Sequence, residues 1–176
     1  MLKGRRILLR YPTLRDARSI YFYAKEPDIA RYTTLPQPYT LAHAKSFLKR
    51  TVLSRHDKHA YRFAIIWKET GELIGMMGLE SVDSVSKRAE IGYWLGKPYW
   101  GKGIMQEAIS LLLDFGFKKL KLERIFAKVY HKNPASAHLL EKHGFTKEGT
   151  LRRHVFRNGE WLDEHHYGLL REEHHR

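Results

Sequence analysis

The part of this chain that most restricts its fold runs from Ala89 to Val129: an extended apolar run, a glycine-rich turn, an apolar helix and a second extended run. Ala89–Leu95 alternates as a strand does, and Trp100-Gly101-Lys102-Gly103 interrupts it. Ile104, Ala108, Leu111, Leu112 and Phe115 then recur at helical spacing in a helix running from about Gly103 to Lys119. Arg124–Val129 returns to strand character. Two strands joined by a crossover of this length lie parallel, and the helix crosses between them with a right-handed turn.

The flanking segments extend this unit on both sides. Ile7–Arg10 reads as a first strand, and Thr13 caps a helix carrying Ile20 and Phe22. Glu26 to Pro38 contains three prolines and reads as an ordered loop. Thr40 caps a second helix reaching about Arg55, with Leu41, Ala44, Phe47, Leu48 and Val52 on the face expected to rest on a sheet. Arg62–Trp67, Leu73–Val82 and Ala89–Leu95 form a three-strand meander. After the crossover, Pro134 opens a last helix that Gly144 ends. Phe145 starts a strand, and Asn158-Gly159 turns it into a hairpin reaching Leu170. The expectation is one α/β domain over residues 1–176, with a mixed sheet of about seven strands and about four flanking helices.

Composition narrows the function. No apolar run approaches the roughly 20 residues of a membrane span, so a soluble cytoplasmic chain with no membrane partner is the expectation. The absence of cysteine rules out a thiolate nucleophile and a thiolate metal site. The histidines show no ligand spacing backed by carboxylates, so no metal is expected. A net charge of +13 attracts anions, whether nucleic acid, the ribosome surface, anionic lipid or a phosphate-rich cofactor, and charge alone does not choose among them.

The glycine-rich turn precedes a helix, where unpaired backbone N–H groups and the positive end of the helix dipole favour an anion. Its spacing is not that of a nucleoside-triphosphate loop. Gly101 and Gly103 would let phosphate oxygens approach the backbone of Trp100, Gly101, Lys102, Gly103, Ile104 and Met105.

Four motifs in order, Ala89-Glu90-Ile91-Gly92-Tyr93-Trp94-Leu95, Trp100-Gly101-Lys102-Gly103-Ile104-Met105, Asn133-Pro134-Ala135-Ser136 and Glu141-Lys142-His143-Gly144-Phe145, resemble the GNAT superfamily of N-acetyltransferases. The likeness covers almost the whole chain and is nearest to the RimJ/RimL branch, which shares the Asn-Gly hairpin and the C-terminal Tyr-Gly-Leu-Leu. Trp100 and Met105 depart from the superfamily's usual loop pattern, and Met105 would narrow the approach.

The resemblance implies acetyl-CoA as co-substrate, a splayed parallel strand pair, and a pantetheine arm pairing like a strand with Tyr93, Trp94 and Leu95. A backbone N–H of that strand would stabilise the developing oxyanion. Asn133 either hydrogen-bonds the coenzyme arm or only caps its own helix. Ser136 either protonates the departing thiolate, directly or through water, or is a capping or solvated serine. Many relatives carry an acidic tyrosine four residues beyond this serine, where this chain has Leu140.

Strand alternation puts Glu90, Gly92 and Trp94 on one face and Ile91, Tyr93 and Leu95 on the other. Glu90 is the candidate base for the incoming amine, its alternative being an ion pair with Arg88 or another cation. Glu80 and Asp83 are weaker candidates for that role, and the histidines are read as structural.

An α-amine with a pKa of about 7.7 to 8.0 is roughly a tenth to a sixth neutral at pH 7, against less than one part in a thousand for lysine. A weakly assisted site therefore suits a protein or peptide N-terminus, a ribosomal protein among them, with nucleic acid met only indirectly. Acetylation of polyamines or other small amines is the alternative on the same fold. An acyl-CoA sensor without turnover and a basic ribosome- or nucleic-acid-binding module are alternatives of another class. Oligomeric state, a homodimer included, is left open by the sequence.

Overall fold

The computed structural model describes residues 1–54 and 56–174. One sheet of eight strands runs through it: β1 (Leu2–Lys3), β2 (Ile7–Arg10), β3 (Tyr61–Trp67), β4 (Leu73–Asp83), β5 (Arg88–Leu95), β6 (Arg124–Tyr130), β7 (Thr146–Arg157) and β8 (Glu160–Leu170). Their spatial order is β1-β2-β3-β4-β5-β6-β8-β7. The two-residue strand β1, which pairs Leu2 with Leu9, is the addition to the seven expected.

Among the described residues, five α-helices flank the sheet: α1 (Ala17–Ala24), α2 (Pro27–Arg31), α3 (Leu41–Leu53), α4 (Ile104–Asp114) and α5 (Pro134–Lys142). The tract read as a loop from Glu26 to Pro38 thus contains a short helix, started by Pro27 at a first-turn position where its fixed φ is already helical. The expected end of the second helix at Arg55 lies outside the described residues; the helix is described to Leu53. The α-helical hydrogen bonding of α4 stops at Asp114, and Phe115–Lys119 continues as one wider turn in which Leu120 N–H bonds to Phe115 O, five residues back. No helix among the described residues is long and apolar enough to cross a membrane.

Alternation along the strands divides the core into two layers. From β3, Phe63 and Ile65 face α4, while Ala64 and Ile66 face α1 and α3. Ile104, Ala108, Ile109, Leu112 and Leu113 form the buried stripe of α4 and meet Ile7, Leu79, Ile91 and Ile125 of the sheet. Ala44 and Leu48 of α3 and Ile20 of α1 cover Leu73 and Met76 on the other side. Each fully buried Leu or Ile side chain contributes about 1.5–3 kcal/mol by removal from water.

All neighbouring strands pair antiparallel except β5 and β6. That parallel ladder is short: Arg88, Ala89 and Glu90 oppose Arg124, Ile125 and Phe126, and there it ends. Beyond it β5 stays paired with β4 as far as Leu95, and β6 stays paired with β8 as far as Tyr130. Each strand keeps its outer partner and loses the inner one, so a wedge opens in the middle of the sheet.

Candidate active site

Three elements meet at this wedge: β5, the loop leading into α4, and the first turn of α5. Gly96 N–H donates to Ile74 O, which makes that pair hydrogen-bonded and fixes the alternation along β5. Trp94 therefore directs its backbone to Met76 of β4, whereas Ile91, Tyr93 and Leu95 turn theirs toward the wedge. Of the three residues expected to meet the pantetheine arm, Tyr93 and Leu95 turn their backbone groups to the wedge and Trp94 turns its own to β4. The Trp94 side chain lies on the opposite face, against the core under α1 and α3. The face assignment made from strand alternation holds.

The loop after β5 folds back on that strand. Trp100 Nε1 donates to Leu95 O at 2.6 Å, which satisfies one of the wedge-facing carbonyls and anchors the loop. Gly101 and Gly103 both have left-handed backbones, with φ of 70° and 69°, where a side chain would be strained. Gly103 is also the residue that starts α4, so the helix's unpaired N–H groups open onto the loop. Ile104 and Met105 are buried in the main core, so the bulk of Met105 is taken up by packing.

Arg6 braces this loop, a contact the sequence reading missed. Its guanidinium donates to Lys102 O at 2.7 Å and to Glu107 at 3.1 Å, and its backbone N–H donates to Glu107 Oε1 at 2.8 Å. Burial opposes ionisation of Glu107, but the hydrogen bonds from Arg6 and Ile7 outweigh it and hold the carboxyl below its ordinary range. The available signal was an arginine just before the first strand together with a glutamate in the first turn of the helix expected to face an anion.

In α5, Asn133 Oδ1 accepts from Ser136 N–H at 3.1 Å, so this oxygen caps its own helix. Ser136 Oγ lies 2.8 Å from the hydroxyl of Tyr93, linking α5 to β5 beside the wedge. Burial pushes the Tyr93 phenol up to about 12, and the contact with Ser136 opposes that rise. Leu140 is fully buried in the core, so no hydroxyl is supplied at that turn.

Glu90 stands on the last parallel pair, on the face opposite Tyr93. It accepts a 2.9 Å hydrogen bond from Lys128 of β6, while Arg88 pairs instead with Asp83 at 3.8 Å. The other weak candidate, Glu80, is tied to Arg62. Of the histidines, His143 places its two ring nitrogens 2.8 Å from Leu139 O and 3.0 Å from Gln106 O, a structural bridge between α5 and α4.

A sheet split at one parallel pair, with a glycine loop feeding a helix beside the split, is the architecture of an acyl-CoA-dependent acetyltransferase. The sequence profile of the acetyltransferase (GNAT) domain matches residues 6–146. The chain is 38% identical over 168 residues to the uncharacterized N-acetyltransferase p20 of Bacillus licheniformis, covering 96% of this chain and 94% of that one. It is 32% identical over 115 residues to the ribosomal-protein-serine acetyltransferase of Escherichia coli, covering 65% and 64% of the two chains. Among solved structures, the spermidine N-acetyltransferase of Vibrio cholerae in complex with CoA and spermine superposes with a TM-score of 0.85 at 26% identity, covering 97% of this chain and 99% of that one.

The chain belongs to the GNAT family of acetyltransferases and is an acetyl-CoA-dependent N-acyltransferase.

Proposed function

We propose that the chain acetylates the α-amine at the N-terminus of a protein or peptide, by direct attack of the amine on the thioester of acetyl-CoA. The observation that carries this reading is the wedge itself. The backbone of Tyr93 and Leu95 faces it from β5, and the amides of Gly101 to Ile104 open at the mouth of α4.

In this reading the loop amides and Lys102 hold the diphosphate, and the amide nitrogen of Asn133 holds the coenzyme arm. The bound coenzyme supplies an acetyl group activated as a thioester. Tyr93 N–H offers a hydrogen bond to the carbonyl oxygen as negative charge develops there, a contribution of about 10² to 10³ in rate for such donors. Glu90 takes the proton of the attacking amine, directly or through water, and Ser136 faces the departing sulfur.

The acceptor follows from charge. On β4, β5 and β8, Glu90 is paired with Lys128, Asp83 with Arg88, Glu80 with Arg62 and Glu164 with His166. A polycation would have to displace these partners on a chain already carrying +13. A peptide bearing one α-amine meets no such opposition, and the positive field suits an enzyme working in the cytoplasm on ribosomal proteins beside RNA. A polyamine acceptor is the second reading, supported by the likeness to the Vibrio cholerae enzyme with spermine.

Release of free thiol from acetyl-CoA, followed with a serine-first peptide, spermidine and an aminoglycoside, decides between them. Turnover with the peptide is the expected result, and turnover confined to spermidine rejects the peptide reading. Glu90→Gln is expected to lower kcat about 100-fold with little change in the KM for acetyl-CoA. Unchanged kcat would remove Glu90 from the mechanism.

A further inference from the structure

Two hydroxyls meet beside the wedge, from parts of the chain 43 residues apart. Tyr93 comes from β5, three residues beyond the last parallel pair, and its ring lies on the side of the sheet covered by α4 and α5. Ser136 comes from the first turn of α5, where Asn133 already holds its backbone N–H. With Oγ then 2.8 Å from the phenol, the serine is held by one contact at its backbone and one at its side chain.

The contact itself allows either hydroxyl to donate, and the chemistry of the two groups favours one direction. A phenol is a stronger acid than an aliphatic alcohol and therefore the better donor, while a serine oxygen has two acceptor positions and one rotatable proton. With the Tyr93 O–H directed at Ser136 Oγ, the Ser136 proton points elsewhere, on a helix turn that touches β5 past the last parallel pair.

We propose that Tyr93 is a positioning residue for acetyl transfer: its hydroxyl donates to Ser136 Oγ and thereby aims the Ser136 proton at the sulfur that leaves the acetyl group. The inference rests on the acetyl-CoA reading above and adds the group that orients Ser136.

The transfer balances without a proton leaving Tyr93. The amine nitrogen forms a bond to the carbonyl carbon, and the amine proton passes to Glu90. The carbon–sulfur bond breaks with its electron pair left on sulfur. Ser136 stabilises that sulfur by a hydrogen bond, and solvent supplies its proton. A phenol at about 12 is roughly three orders of magnitude weaker as an acid than a thiol at about 8.5. Tyr93 therefore stays protonated through the reaction and acts through Ser136. Polarised by the phenol, Ser136 is also a stronger donor than a lone serine.

The test uses Tyr93→Phe, which keeps the ring and removes only the hydroxyl, together with Ser136→Ala and the double variant. Thiol release is followed with whichever of the serine-first peptide and spermidine is turned over, or as slow hydrolysis if neither is. Tyr93→Phe is expected to lower kcat about tenfold with the KM for acetyl-CoA unchanged, and the double variant to be no slower than Ser136→Ala. Calorimetry supplies a second readout: at pH 9 the unsubstituted protein should bind CoA several-fold more tightly than desulfo-CoA, and both single variants should lose that preference.

If Ser136→Ala slows transfer and Tyr93→Phe does not, the positioning role is overturned while the acetyl-CoA reading stands. Full activity in Ser136→Ala removes the leaving-group role of the serine and overturns the inference with it. A joint loss of coenzyme affinity and melting temperature in Tyr93→Phe would also overturn it, because the hydroxyl would then serve only to hold the cleft together.

Discussion

The guanidinium of Arg6 donates a 2.7 Å hydrogen bond to the carbonyl of Lys102, joining residues 96 positions apart. The same side chain reaches Glu107 in the first turn of α4, so the bend just before β2, the loop and the helix are fastened at one point. The loop carries two left-handed glycines and would otherwise have several backbone conformations open to it. Holding one carbonyl limits that freedom before any ligand arrives, which lowers the ordering cost of binding.

Arg6→Ala is accordingly expected to weaken acetyl-CoA binding about tenfold and to cost about 1–2 kcal/mol of stability through the lost charged hydrogen bonds. Calorimetry with acetyl-CoA and thermal unfolding measure the two effects separately. An unchanged dissociation constant would mean that the loop holds its shape without the brace.

The two glycines of the loop give a sharper comparison. A Cβ on Gly101 would meet nothing within 4 Å, whereas one on Gly103 would stand 3.3 Å from Gln106 Oε1 and 3.6 Å from Arg6 Nη2. Both substitutions to Ala force a left-handed backbone at about 1–2 kcal/mol, equivalent to a fall of roughly 2–8 °C in Tm for a chain of this size. If the loop amides hold a diphosphate, both variants also lose coenzyme affinity, and Gly101→Ala does so with no new contact inside the protein to explain it. Retained affinity in Gly101→Ala would argue that the ligand lies elsewhere.

The crossover from β5 through α4 to β6 was legible in the sequence because period-2 and period-3.6 patterns change over at Gly101 and Gly103. The hairpin at Asn158-Gly159 was legible from turn chemistry, and the buried and open faces of β5 from simple alternation. What was not legible depends on residues far apart in the chain. Nothing local to Tyr93 indicates that its hydroxyl meets Ser136, and nothing local to Glu90 selects Lys128 over the neighbouring Arg88. Which alternate residues of β5 turn their backbone into the wedge required the register with β4, a property of strand pairing that one strand's sequence does not carry. The short helix at Pro27–Arg31 was hidden by a high density of prolines, although Pro27 itself is well suited to a helix start.

The entry to α1, on the side of the sheet opposite α4, makes a pH-dependent prediction. Asp16 is buried and receives hydrogen bonds from Arg10 at 2.7 Å and 2.8 Å and from Thr13 N–H at 2.7 Å. Burial is the largest single influence on its carboxyl and acts to raise the pKa, but the bonds from Arg10 and Thr13 together outweigh it and leave the pKa below 3.8. A pKa depressed in the folded state means that folding favours the ionised form. The stabilisation is therefore complete above the unfolded value of about 3.9 and disappears as pH falls through the lower folded value. Asp16→Asn should lose about 2 kcal/mol at pH 7, where a charged hydrogen-bonded pair is replaced by a neutral one. The gap in denaturation midpoint between Asp16→Asn and the unsubstituted protein should then narrow steadily below about pH 4. Midpoints measured in urea from pH 7 to pH 3 test this, and a gap that stays constant across the range would show that Asp16 stabilises α1 through packing and not through its charge.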